Sequence, residues 1–248
     1  MPMTLFAANN GFGGFELWRT DGTGVRTALV KEIRAGALGG SPSNSPTLSG
    51  GPLPFAVLNG FAYFAADDGV GGMELWRSDG TPGGTVQVTN LAGATGYSPT
   101  NIVVANNQLF FLASGPGGFG IYKSNGTDAG TSLVSSTVIG LTGFIASAGQ
   151  GRIYWSIDDG LSTSGLYTSD GIGPVAKLVN GGNSTGIYDA VSAIYYVTTG
   201  GLTKVVGAVA TAVTGEPTSI STLFHVGNTV YFTEIGSQTL WSTRPSTH

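Results

Sequence analysis

The sequence predicts an all-β protein, a β-propeller of about six four-stranded antiparallel blades, with residues 1–248 forming a single domain. Three observations predict it. An aromatic-rich strand recurs six times, a second strand with a fixed turn behind it recurs with the same count, and no long 3.6-residue apolar period occurs anywhere. Forty-two glycines and 11 prolines beside 41% apolar residues fit many short strands joined by tight turns.

The aromatic copies are Leu5-Phe6-Ala7-Ala8, Tyr63-Phe64-Ala65-Ala66, Phe110-Phe111-Leu112-Ala113, Tyr154-Trp155-Ser156-Ile157, Tyr195-Tyr196-Val197-Thr198 and Tyr231-Phe232-Thr233-Glu234. The strand after each begins as Glu16-Leu17-Trp18-Arg19-Thr20-Asp21-Gly22-Thr23 and returns as Glu74-Leu75-Trp76-Arg77-Ser78-Asp79-Gly80-Thr81. Weaker copies are Ile121 to Thr127 and Leu166 to Gly171; Leu202-Thr203-Lys204 and Leu240-Trp241-Ser242 are eroded. Two shorter runs complete each unit, such as Val86-Gln87-Val88 behind the turn and Phe55-Ala56-Val57-Leu58 ahead of the aromatic strand. Each run is β-branched or aromatic and bounded by Gly, Asn, Asp or Pro. One such sheet, apolar on both faces, is not stable alone; stacking around an axis buries both faces. The two flanking runs occur five times against six for the others, so five blades with a surplus hairpin is the alternative to six.

These copies resemble the ELW-x-x-DGT repeat family of bacterial, often surface or secreted, proteins. Residues 15–90 match the motif strictly; the third and fourth copies carry Tyr for Trp, and the third carries Asn125 for Asp. The resemblance implies a secreted or cell-surface location and no single activity.

Composition excludes several functions. Ten Lys and Arg against 14 Asp and Glu, net charge -4, cannot build the basic patch that nucleic acid requires. The absence of cysteine removes disulfides, thiolate metal sites and cysteine nucleophiles. Met1 to Phe6 lacks the pattern of a signal peptide, and the apolar run Val205 to Val213 is too short to span a membrane as a helix. No G-x-S-x-G, H-E-x-x-H or P-loop pattern occurs.

Candidate functional residues are therefore few. Trp18, Trp76 and Trp241 read as blade-to-blade packing, with each indole N–H tied to a backbone carbonyl. Trp155 breaks a column of Phe and Tyr, which makes it the candidate for stacking on a sugar ring. Asp21, Asp79 and Asp170 precede glycine and read as turn residues that accept backbone N–H bonds. The pairs Asp67-Asp68 and Asp158-Asp159 follow the aromatic strand, where they form a ligand rim for sugar hydroxyls or Ca²⁺, or simply solvated loops. Asp189 and His225 lie on inner strands and offer an acid/base pair to a channel-centred hydrolase. Arg19 and Arg77 are expected to pair with nearby acids.

The expected function is a non-catalytic binding propeller for a glycan or cell-surface polysaccharide, with Asp67, Asp68, Trp155, Asp158 and Asp159 as ligand-binding residues and no cofactor, Ca²⁺ aside. A structural or adhesion module of a larger surface protein is the alternative, and a hydrolase comes third. Neither nucleic acid nor membrane insertion is expected.

Overall fold

Short, nearly unbroken apolar runs dictate strands with two buried faces, and strands are what form. The structure is a computed structural model that describes residues 3–9, 15–34, 56–90, 96–136, 138, 141–147, 150–181, 187–190, 193–198, 201–214, 220–226, 229–236 and 239–243. The side chains of residues 142–147, 221, 222 and 225 lie outside that description.

Among the described residues, 22 strands form six antiparallel sheets, each built from consecutive strands. The first holds β1 (Thr4–Asn9), β2 (Phe15–Thr20) and β3 (Ala28–Lys31). The second holds β4 (Ala56–Leu58), β5 (Phe61–Asp67), β6 (Met73–Ser78) and β7 (Val86–Gln87). The third holds β8 (Thr100–Ala105), β9 (Gln108–Gly115), β10 (Gly118–Ser124) and β11 (Ser132–Ser135). The fourth holds β12 (Leu141–Ser147), β13 (Arg152–Ile157), β14 (Gly165–Ser169) and β15 (Ala176–Asn180). The fifth holds β16 (Ile187–Asp189), β17 (Ile194–Thr198), β18 (Gly201–Val206) and β19 (Val209–Ala212). The sixth holds β20 (Ile220–Val226), β21 (Thr229–Glu234) and β22 (Leu240–Ser242). Successive small up-and-down meanders are the blade pattern of a β-propeller, so the all-β, propeller-type class expected from the repeat is what the chain adopts. Among the described residues the helical element is the 3-10 turn Gly24–Arg26.

In all six sheets the ELW-type strand pairs antiparallel with the aromatic strand before it. The register is the same each time: Phe6 faces Trp18, Phe64 faces Trp76, Phe111 faces Tyr122, Trp155 faces Tyr167 and Phe232 faces Trp241.

The chain divides into two compact units, one of Met1–Val104 with Gln108–Ser136, the other of Ala105–Asn107 with Thr137–His248. In the first unit the period of two splits each strand between two cores. Phe64 and Trp76 join Ala7, Leu17 and Val30 of the first sheet, while Tyr63 and Leu75 join Leu109, Phe111 and Tyr122 of the third. The second sheet is thus buried on both faces. The second unit repeats the arrangement around its fifth sheet. Tyr196 and Val205 meet Tyr154 and Leu166, whereas Tyr195 and Leu202 meet Leu223, Val230 and Phe232.

A bulge where the outermost strand crosses the ELW-type strand recurs in the first, third and fourth sheets, at Leu17/Trp18, Ile121/Tyr122 and Leu166/Tyr167. In the second sheet the amides of Val88 and Thr89 both donate to the Leu75 carbonyl, the two-on-one pattern of a bulge. The residue before this point is Glu16, Glu74, Gly120 or Gly165. The glutamates are buried, 4% and 0% exposed, and they tie down the chain leaving the sheet. Glu16 accepts from the Ile33 amide at 2.6 Å, and Glu74 accepts from the Thr89 hydroxyl, which in turn accepts from the Leu75 amide. The glycines do the opposite: a Cβ on Gly120 would stand 2.3 Å from the Ser135 carbonyl oxygen, and one on Gly165 2.1 Å from that of Val179.

Candidate functional site

The motif turn comes first, because four copies of it are resolved in atomic detail. The Asp21 carboxylate accepts from the Thr23 amide at 3.1 Å and its hydroxyl at 2.6 Å. Asp79 receives the same two bonds from Thr81, and Asn125 from Thr127 through its Oδ1. Asp170, with no threonine two residues on, accepts instead from the Ile172 and Gly173 amides, both at 2.9 Å. Gly22 and Gly80 sit at φ +94° and +85°, a region that disfavours a Cβ, which explains the glycine.

The sequence reading missed the rest of this turn. The hydroxyl before the acid, on Thr20, Ser78, Ser124 or Ser169, accepts from the glycine amide at 3.0–3.1 Å. In the first three copies a second threonine, Thr27, Thr85 or Thr131, bonds that hydroxyl and the carbonyl four residues earlier. The signal was present as a threonine seven residues beyond the Ser or Thr in each of those three copies. These turns spend their polar groups on themselves, which makes them structural. Hydroxyl and amide donors hold the carboxyls of Asp21 and Asp79 below the usual aspartate range, chiefly through Thr23 and Thr81.

The proposed ligand rim behaves similarly. Asp67 accepts from the Gly69 amide at 2.7 Å and meets Arg34 at 3.4 Å, and Asp68 accepts from the Val70 amide at 2.9 Å. Asp159 accepts from the Leu161 amide at 2.9 Å, from Ser164 Oγ at 2.6 Å and from the Thr163 hydroxyl. Those donors, Ser164 foremost, pull its carboxyl down to about 2. Asp158 is partly buried just beyond β13. Asp67 and Asp68 stand together in the first unit; Asp158 and Asp159 stand together in the second.

Trp155 requires a correction. It is fully buried, 0% exposed, and lies 5.6 Å from the Tyr167 ring at 15°, so it offers no face to a sugar. The break in its column is a size exchange. In the first, second and sixth sheets the smaller Phe opposes the larger Trp across the pair; here Trp155 opposes Tyr167.

Two further expectations fail. The indole N–H groups of Trp18, Trp76 and Trp241 are buried with no hydrogen-bond partner rather than tied to a carbonyl; Trp76 packs in the apolar space between the first two sheets, and Trp241 against that between the fifth and sixth. Arg19 donates to the Gly80 carbonyl at 2.9 Å instead of pairing with an acid, and Arg77 lies over the Phe61 ring, 4.7 Å from its centre, while its charge helps to lower the Asp79 carboxyl.

An open depression in the second unit lies between strands β16 and β20. It has a volume of about 350 Å³ and is lined by Ile187, Tyr188, Asp189, Leu223, Phe224 and Val230, with Ala190 behind. Tyr188 and Phe224 occupy the same register in neighbouring sheets, opposite Tyr195 and Tyr231. Phe224 is 46% exposed and stacks on Tyr231 at 5.4 Å and 14°, which fixes an aromatic face at the rim. Asp189 supplies the carboxylate. The backbone of His225 pairs with Val230, and its side chain lies outside the described residues. Sequence reasoning missed Phe224; the available signal is that Leu223-Phe224-His225-Val226 does not alternate. Among the described residues no group of three or more His, Asp or Glu is placed to hold a metal ion, and no helix is long and apolar enough to cross a membrane.

No family model matches the sequence, and no curated protein matches it. A chain in the crystal structure of a nidogen/laminin complex is similar over 97% of this chain and 89% of its own length, at 14% identity and a TM-score of 0.43.

Proposed function

We propose that the chain is a non-catalytic binding module of the ELW-x-x-DGT repeat type, secreted or on a cell surface, that closes six sheets into one ring. Its ligand is a neutral glycan, held at the depression between β16 and β20. The observation that carries this reading is the exposed Phe224 face, fixed by Tyr231, beside the Asp189 carboxylate in a space of monosaccharide size. A sugar has an apolar C–H face for the ring and hydroxyls for the carboxylate. One shallow site of this kind binds weakly.

Isothermal titration against neutral monosaccharides tests it. Saturable binding at millimolar sugar is expected, lost in Phe224→Ala and weakened in Asp189→Asn. Binding that survives Phe224→Ala, or none with any neutral sugar, rejects the reading. A second reading, a structural or adhesion module, is favoured by one observation: Asp67, Asp68 and Asp159 each accept from an amide two residues on in their own loop, and Asp67 also pairs with Arg34.

A further inference from the structure

A separate depression of about 340 Å³ lies in the first unit, lined by Met3, Arg19, Thr20, Asp21, Val25, Arg26 and Ala28. Two of the chain's ten cationic residues meet there, in a protein of net charge -4. Thr20 is spent on the Gly22 amide and Thr27. Asp21 is spent on its own turn and on Arg26, at 3.5 Å. Arg19 donates one nitrogen to the Gly80 carbonyl, and that bond fixes the guanidinium without using its remaining N–H groups. The rim is apolar: Val25 is 97% exposed and Met3 46%.

We propose that this depression binds an amphiphilic monocarboxylate, a carboxyl group carrying a hydrocarbon chain. Two guanidiniums beside one carboxylate leave a single net positive charge, which matches a monoanion and not a phosphate or sulfate dianion. A planar carboxylate suits the fork of free N–H groups on Arg19. Its chain lies over Val25, Met3 and Ala28, and burial of those exposed groups supplies the affinity that a bare anion lacks. The 3-10 turn Gly24–Arg26 sets Val25 and Arg26 side by side, so chain and carboxylate are recognised by adjacent residues.

The test uses the full chain and three probes, hexanoate, acetate and 1-hexanol, by titration calorimetry. Saturable hexanoate binding is expected, tighter than either acetate or hexanol, and weakening as salt rises. Arg26→Gln, at a residue whose side chain is 69% exposed, should weaken hexanoate about fivefold, the upper range for an exposed ion pair. Val25→Ser should weaken hexanoate and leave acetate unchanged. Arg19→Gln should abolish binding; should it unfold the chain, Arg26→Gln and Val25→Ser still decide the matter. Hexanol binding as tightly as hexanoate, no effect of either exposed-site variant, or no saturable binding overturns the proposal. A sugar result at β16 and β20 bears on neither outcome.

Discussion

Trp76 gives the sharpest test of how the sheets are held together. Its side chain is 5% exposed and fills the space between the first two sheets, against Ala7, Leu17, Val30, Phe64 and Ala66. Truncation of a buried tryptophan to alanine costs about 3–5 kcal/mol through lost burial and the cavity left behind. The Lys31 ammonium, 5.8 Å from the ring centre, adds about 0.5–1 kcal/mol that also disappears. With a urea slope of about 2–3 kcal/mol/M, the Trp76→Ala midpoint should fall by about 1–3 M. Trp76→Phe separates the ring from its N–H. That N–H has no partner, and burying it unpaired costs about 1–3 kcal/mol. Phenylalanine keeps most of the ring and removes this penalty, so its net effect should stay within about 1.5 kcal/mol. Urea unfolding followed by tryptophan fluorescence and far-UV circular dichroism reads both variants. If Trp76→Phe proves as damaging as Trp76→Ala, the N–H does have a partner and the apolar-wedge account is wrong.

Other outcomes follow from the same geometry. The carboxyls of Asp79 and Asp159 are lowered, so their stabilisation is present above the ordinary aspartate value of 3.8 and is lost as pH falls through the lowered folded values, for Asp159 down to about 2. The urea midpoint should drop between those limits, and Asp159→Asn should make that drop shallower. Glu16 behaves oppositely: burial raises its carboxyl, so its contribution holds at low pH and is lost as pH rises through the folded value. Glu16→Gln should therefore gain stability over the parent at pH 7 and little at pH 4; an equal difference at both would count against the buried carboxyl. Gly120→Ala should lower the urea midpoint by about 1 M relative to Gly83→Ala, where a Cβ meets nothing within 4 Å. Comparable effects of the two would remove the close-approach argument.

The sheets were legible because strand register is written into a period of two. Tyr63 against Phe64 and Leu75 against Trp76 needed no further information to be assigned to opposite faces. The Asp-Gly-Thr turn was legible because its hydrogen bonds are local. What stayed hidden depends on contacts across the chain. Glu16 and Glu74 look like ordinary surface acids until Ile33 and Thr89 are seen to return over them. Trp155 looked like an exposed platform because its column was read alone, without the smaller Tyr167 opposite it. Asp67, Asp68 and Asp159 were chosen by residue type, whereas their oxygens answer to the amides two residues on. The depression at Phe224 needs two neighbouring sheets at once, and no single run announces it.

The bulge beside the ELW-type strand in the first four sheets has a consequence for rearrangement of the repeats. Copies with Glu16 or Glu74 hold the departing chain at arm's length by a side chain, and copies with Gly120 or Gly165 let it close onto the bare backbone. These are two incompatible fittings at one joint. A glutamate transplanted into the third copy collides with the Ser135 carbonyl, and a glycine in the second strands the Thr89 hydroxyl. Shuffling single positions between copies is therefore barred, while exchange of a whole hairpin with its outer strand is open. A lineage of such repeats can drift only in blocks, and a designer building new members must choose the joint first and the sequence around it second.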